Sequence, residues 1–344
     1  MIVLNSFGLL LLVITISNLF SVKTLKIKNN EKYDFDILVP MRNEESNVAE
    51  LIPNLLNQGG KIFVLDDNSS DMTLSELNKF YKEISILSGK QLPEMWLGKN
   101  FACHQLAIHS SEKYLVFIDA DVRLESGAIS SAISHLEAKE WDFISPYPQQ
   151  KTSGIIQFLI QPILQWSWLS TIPFWYANRY PNRSMAVANG QFFIVKREAY
   201  LASGGHKAIK NEVLDDIELA RVLIKSGFKG GPVDGSRIAE CHMYRTDTEL
   251  IGGYGKSLWR AFGGIIGTII AILLLLATAI PFGIFSIGAF YILISRILVS
   301  LKVRSNLLSA IFHPFSMIAI SLLIIYSNYL HKMGRITWRE RAIE

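Results

Sequence analysis

The apolar residues of this chain are not spread along it but gathered at its two ends, and that distribution limits the fold before any motif is read. Ile2 to Val22 carries no charge and is long enough to cross roughly 30 Å of hydrocarbon as a helix. No basic segment precedes it and the residues before Lys23 make a poor cleavage site, so it reads as an uncleaved anchor. Lys23, Lys26, Lys28 and Lys32 follow, and the positive-inside rule then predicts a cytoplasmic location for what comes next. At the other end, Gly263 to Leu301 is a long apolar stretch interrupted by Pro281 and Arg296, enough for two short membrane helices or one hairpin. Leu307 to Leu330, with His313-Pro314 near its start, is a third candidate. Three spans after a cytoplasmic domain would leave the tail bearing Lys332, Arg335, Arg339 and Arg341 outside, so one segment is expected to be re-entrant or interfacial. Ile155 to Tyr176, rich in Trp166, Trp168, Phe174 and Trp175 but broken by Pro162 and Pro173, reads either as a segment at the bilayer surface or as an apolar core helix.

Composition agrees. Half of the 344 residues are hydrophobic and 19% are charged, with a mean hydropathy of +0.26, which excludes an ordinary soluble enzyme and a disordered chain. The net charge of +4 is modest, and the basic residues sit beside apolar segments rather than in a stripe interleaved with aromatics, so no nucleic-acid partner is expected. Cys103 and Cys241, without a CxxC or a nearby histidine cluster, make neither a disulfide framework nor a zinc site and fit a reducing compartment.

From Asp34 to about Arg260 short β-type runs alternate with amphipathic segments, the pattern of an α/β domain. Strands are predicted at Asp36 to Pro40, Lys61 to Leu65 and Tyr114 to Ile118, and helices at Glu45 to Asn57, about Asp71 to Ile84 and about Asn100 to Ser111. Acidic residues begin where strands stop, at Asp66-Asp67 and at Asp119-Ala120-Asp121. Those are the carboxyl ends at which open α/β sheets bind ligands.

Asp119 and Asp121 at the end of a buried run can share a hard divalent cation, which in turn can bridge a diphosphate. A DxD also arises by chance, but burying two negative charges without a cation or donor is costly. Ser70 or Asp71 reads as a helix cap, whereas Asp66 and Asp67 exceed what a cap needs and can accept from a nucleobase N–H. Pro40-Met41-Arg42-Asn43-Glu44-Glu45 puts Arg42 and two acids at the first strand-to-helix turn. Asp215-Asp216 opens an amphipathic helix, where acids complement the helix dipole and where Asp216 can also act as a general base toward an acceptor hydroxyl.

These stations, in this order, resemble the family 2 glycosyltransferases of the GT-A fold. In that family the first aspartates contact the nucleoside, the DxD holds metal and diphosphate, and the last aspartate is the base of an inverting displacement. The resemblance therefore implies Asp67 (beside Asp66), then Asp119 and Asp121, then Asp216 (beside Asp215) in those roles. Trp96-Leu97-Gly98-Lys99-Asn100-Phe101-Ala102-Cys103, Ala188 to Phe192, Gly204-Gly205-His206, His242 to Arg245 and Gly255 to Arg260 are similar to the bacterial carotenoid-acid (4,4'-diaponeurosporenoate) glycosyltransferases and related lipid glycosyltransferases. Where processive members and ceramide glucosyltransferases carry Q/R-x-x-R-W, this chain reads Lys256-Ser257-Leu258-Trp259-Arg260, which implies transfer of a single sugar.

The expectation is thus an α/β, Rossmann-like GT-A domain over 34–262 with an interfacial segment at 153–177, an anchor at 1–22, two to three membrane segments over 263–330 and a basic tail at 331–344. The implied enzyme sits in the plasma membrane, multi-pass, with a cytoplasmic catalytic domain. It takes a nucleoside diphosphate sugar, UDP-linked, uses Mg²⁺ or Mn²⁺, and glycosylates a membrane-resident lipid or carotenoid acceptor. A ceramide or hopanoid glucosyltransferase, a polyprenyl-phosphate glycosyltransferase and a non-catalytic nucleotide-binding protein are the alternatives. Lys99 could pair with phosphate or sit solvated in a loop, and His206 could reach the sugar or belong to a surface turn. Lys256, Trp259 and Arg260 could serve the diphosphate or acceptor or anchor at the interface. Trp338-Arg339 is expected to return to the site by resemblance alone.

Overall fold

A computed structural model describes residues 1–28 and 32–335, together with the backbone of 337–338 and 341–342; the side chains of Trp338 and Arg339 fall outside the described residues. The chain forms two units, one comprising residues 24–149 and 177–241 and the other residues 1–23, 150–176 and 242–344.

The first unit is built on a seven-stranded sheet. Its strands are β1 (Phe35–Met41), β2 (Lys61–Asp66), β3 (Ser85–Ser88), β4 (Tyr114–Ile118), β5 (Phe143–Tyr147), β6 (Phe192–Lys196) and β7 (Gly230–Asp234), in the order β3-β2-β1-β4-β6-β5-β7. β1 pairs in parallel with β2 and β4, whereas β6 runs antiparallel to both β4 and β5. Successive side chains of a strand point to opposite faces, and here both faces are covered. Ile37, Val39 and Met41 of β1, with Tyr114, Val116 and Ile118 of β4, join one core with helices Glu45–Leu56 and Ala128–Ala138. Leu38, Leu115 and Phe117 join the other with helices Gly98–His109 and Asp215–Lys225. That double burial is why these strands read as unbroken apolar runs.

The predicted helix over Asp71 to Ile84 is shorter, covering Thr73–Leu77 and followed by a 3₁₀ turn at Asn78–Phe80. The Asp71 carboxylate accepts from the backbone N–H of Thr73 (2.9 Å) and from its hydroxyl (2.6 Å), which fixes the start two residues later. Cys103 and Cys241 are free and buried.

The second unit is helical: Ile2–Ser21, Ile155–Thr171, Asp247–Ala261, Ile265–Gly283, Ile287–Val303 and His313–Lys332. Among the described residues, Ile2–Ser21, Ile265–Gly283 and His313–Lys332 are long and apolar enough to cross a membrane. Ile155–Thr171 belongs to this unit, and Trp166 and Trp168 are buried within it. The Asp247 carboxylate accepts from the first backbone N–H groups of that helix, those of Ile156 (3.2 Å) and Gln157 (3.1 Å). The cap is possible only because residue 154 is glycine, where a Cβ would stand 2.0 Å from Asp247 Oδ1. The domain expected over 34–262 is therefore interrupted, since 150–176 and 242–262 go with the apolar helices.

Candidate active site

The first two strand-end loops form one assembly. Asn43 and Asn68 both adopt positive φ of 54°, a conformation that asparagine tolerates better than most residues. From there Asn43 Oδ1 accepts from Ser70 N (2.8 Å), Ser69 Oγ accepts from Asn43 N (3.0 Å), and Thr73 Oγ1 accepts from Glu44 N (2.7 Å). Arg42 donates to the carbonyls of Asp67 (2.6 Å) and Asn68 (3.2 Å). In this structure it pins the β2 loop. Asp66 and Asp67 are buried at that end, and Asp66 Oδ1 has no hydrogen-bond partner.

The end of β4 carries the second group. Lys99, at the start of helix Gly98–His109, lies 2.9 Å from Asp119 and 3.4 Å from Asp215, each of the three side chains a quarter exposed or less. Burial opposes the charge on Lys99, but the two carboxylates outweigh it and hold its pKa well above the ordinary lysine value. The costly pair of negative charges expected at the DxD is thus half compensated by a lysine from another element, and Lys99 is neither loop-solvated nor free to meet phosphate unless it leaves Asp119. Asp121 is pushed up to about 7 by burial, then by Asp119 and Glu44. The Cys241 thiol donates to it, yet its Oδ1 is buried without a hydrogen-bond partner.

Asp216 is held by backbone alone: Oδ2 accepts from Gly190 N (3.0 Å) and Oδ1 from Ile217 N (2.8 Å). Burial, then Asp215, pushes its pKa up to about 6, close to what a base working near neutrality needs. Gly190 permits this approach, because a Cβ there would meet Asp216 Cβ at 3.3 Å and Lys99 Nζ at 3.4 Å. The loop containing Gly190 is placed by β6: Gln191 O accepts from Asp119 N (3.1 Å), and Asn189 N donates to Ser145 Oγ (2.7 Å).

Pro40, Lys99, Asp119, His206, Asp215 and Asp216 therefore line one pocket. His206 is a core residue of that wall, 3% exposed, bonded through Nδ1 to the Tyr200 hydroxyl (2.9 Å) and pushed down to about 3 by burial, so it is neutral. Lys256, Trp259 and Arg260 lie in the helical unit on helix Asp247–Ala261, where the Trp259 ring stacks on His331 at 3.6 Å and the Arg260 guanidinium stands 5.5 Å from the centre of the Trp259 ring. Sequence reasoning quoted Ala188 to Phe192 but gave Gly190 no task, and it missed Asn43, Ser69, Thr73 and Cys241. An asparagine in each of two strand-end loops was the available signal for the tie between them.

Residues 36–202 match the description Glycosyl transferase family 2. The match takes in just under half of the chain. Among curated relatives, the 4,4'-diaponeurosporenoate glycosyltransferase of Staphylococcus haemolyticus (strain JCSC1435) is 22% identical over 234 residues, 64% of this chain and 60% of the relative. That of Staphylococcus aureus (strain N315) is 24% identical over 252 residues, 70% and 65% of the two lengths. The match thus covers less than two thirds of either relative. The mannosyltransferase PcManGT from Pyrobaculum calidifontis, solved in complex with GDP-Man and Mn2+, shares the fold with a TM-score of 0.57 at 14% identity, over 98% of this chain and 96% of that one. The fold of the family 2 domain is accordingly the expected α/β GT-A fold.

Proposed function

We propose that this chain is a family 2 glycosyltransferase that moves one sugar, with inversion, from a nucleoside diphosphate sugar to a membrane-resident lipid or carotenoid-type acceptor. The observation that carries the reading is the convergence of Asp119, Lys99, Asp215 and Asp216 on one pocket at the carboxyl ends of parallel strands. Asp66 and Asp67, in the tied loops beside it, are suited to accept from the nucleobase and ribose. The curated relatives' name supports a carotenoid acid as acceptor, and a UDP-linked sugar is the donor this reading assigns. The three long apolar helices support a multi-pass membrane protein, and the lysines that follow the first of them support a catalytic unit on the cytoplasmic side of the plasma membrane.

A divalent cation, Mg²⁺ or Mn²⁺, fits the donor side. No group of three or more His, Cys, Asp or Glu able to hold an ion occurs among the described residues, but such cations are commonly held by one or two carboxylates together with substrate phosphates. The buried, unpartnered Oδ1 of Asp121 is the kind of atom such an ion satisfies. Asp119 and Asp121 would hold it, and when bound it supplies positive charge against which the departing diphosphate is stabilised. Lys99, released from Asp119, is within reach of the same diphosphate. Asp216, fixed by two backbone N–H groups, takes the acceptor proton as the acceptor oxygen attacks the anomeric carbon and the bond to the diphosphate breaks. Lys256, Trp259 and Arg260 belong to the acceptor or diphosphate side in this scheme.

Purified membranes containing the protein, incubated with a panel of labelled UDP-sugars and extracted for lipid, should yield one labelled lipid class that is lost with Asp121→Ala. Label confined to free sugar in every arm would reject the transfer.

A further inference from the structure

The helical unit buries a charge that its described residues do not balance. Arg296 is 1% exposed, midway along helix Ile287–Val303. Its Nη2 donates to Ser309 O (3.1 Å) and Ser309 Oγ (3.3 Å), and its guanidinium carbon stands 5.8 Å from the centre of the Trp166 ring. Nε and Nη1 are buried and meet no acceptor. His313 is fully buried against the same Trp166 ring, centroids 5.1 Å apart. Its Nε2 is taken by Thr278 Oγ1 (2.9 Å), while its Nδ1 has no partner.

No counter-charge for Arg296 is found among the described residues of the unit. Among its described residues the acids are Asp247 and Glu249. Asp247 caps helix Ile155–Thr171 and Glu249 accepts from Arg245 N (2.9 Å). A guanidinium removed from water without an anion is strongly destabilising, and two neutral oxygens on one nitrogen do not remove that cost. Lys302 and Arg304 mark the polar end of the same helix, so Arg296 lies about 9 Å below it at 1.5 Å per residue. Helix Ile265–Gly283 shows Ile266 and Leu273 outward, 73% and 61% exposed, an apolar exterior suited to hydrocarbon. A freely hydrated anion would lose its water to enter such surroundings, whereas the head of an amphiphile arrives already at that depth.

We propose that Arg296, with Ser309 and His313 beside it, binds the oxyanion head of a membrane amphiphile, a carboxylate or a phosphate. This site stands apart from the transfer chemistry and does not depend on it. The full-length protein in detergent micelles is titrated with oleate, methyl oleate, dioleoyl phosphatidate and inorganic phosphate, following bound label and the shift in melting temperature. Oleate, phosphatidate or both should bind at least about tenfold more tightly than the uncharged ester, as a charge-assisted contact to guanidinium requires. Whichever binds identifies the head. Arg296→Met should bring the acid down to the level of the ester while leaving ester binding unchanged, and His313→Asn, a milder change, should weaken the acid alone. Equal binding of acid and ester by the unmodified protein would overturn the proposal whether or not the variants fold. Full displacement of the amphiphile by inorganic phosphate would overturn it in favour of a free-anion site.

Discussion

Each unit of this protein buries a cation, and the two do so in opposite ways. Lys99 sits between two carboxylates within 3.4 Å, all from the same unit. Arg296 meets only neutral oxygens of Ser309. In the sheet unit, charge is balanced from within, so its acids are held in place before any substrate arrives. In the helical unit, no described acid supplies the balance. The contrast separates a site prepared for chemistry from a site prepared for a ligand.

The sharpest way to break that contrast is to remove Asp216, the base proposed above. Asp216→Asn should cost between about 10² and 10⁴ in turnover on an alcohol acceptor. On a carboxylic acid acceptor, already ionised near neutral pH, the loss should stay below about tenfold. Equal large losses on both would mean that Asp216 organises the pocket rather than moving a proton. The unmodified enzyme should show the same split against pH. Because burial raises Asp216 to about 6, the base form is lost as pH falls through that value, and the alcohol rate should drop about tenfold per pH unit below it.

Asp121→Ala should lower turnover by on the order of 10² to 10³, the scale for losing one group that stabilises developing charge, with donor affinity falling alongside it in a direct binding measurement. Smaller again is the effect of Lys99→Met on stability. Leaving Asp119 and Asp215 without their cation should cost about 1 to 3 kcal/mol, below the figure for a fully buried pair because all three side chains keep some contact with water. Adding Asp215→Asn should recover part of the loss in a denaturation experiment, which tests internal balance directly. Gly190→Ala should be the mildest, lowering kcat less than about tenfold by pressing a methyl group against Asp216 and Lys99 at 3.3 and 3.4 Å.

Much of this architecture was legible in the sequence. Strands β1, β2 and β4 lie within a residue of their predicted ends because burial on both faces leaves a continuous apolar run that polar residues terminate abruptly. The three acidic stations were readable for the same reason. What could not be read was pairing across distance. Lys99 and Asp215 are 116 positions apart, and nothing local to either shows that they meet. Nor does a sequence reveal that the Asp71 carboxylate starts its helix at Thr73, that His206 faces Tyr200 instead of solvent, or that Gln157, Gln161 and Gln165 are all buried in an apolar helix. Arg296 stood out as a lone charge, but its unmatched state became visible only when Asp247 was found capping a helix.

The antiparallel run of β6 has a consequence for how the enzyme comes into being. Because β6 enters between β4 and β5 against their direction, Gly190 reaches Asp216 only after a strand more than seventy residues beyond β4 has been inserted. Closing loops of that length is slow compared with forming the local β1-helix-β2 repeat. A nascent chain can therefore assemble the tied loops after β1 and β2 well before Gly190 meets Asp216.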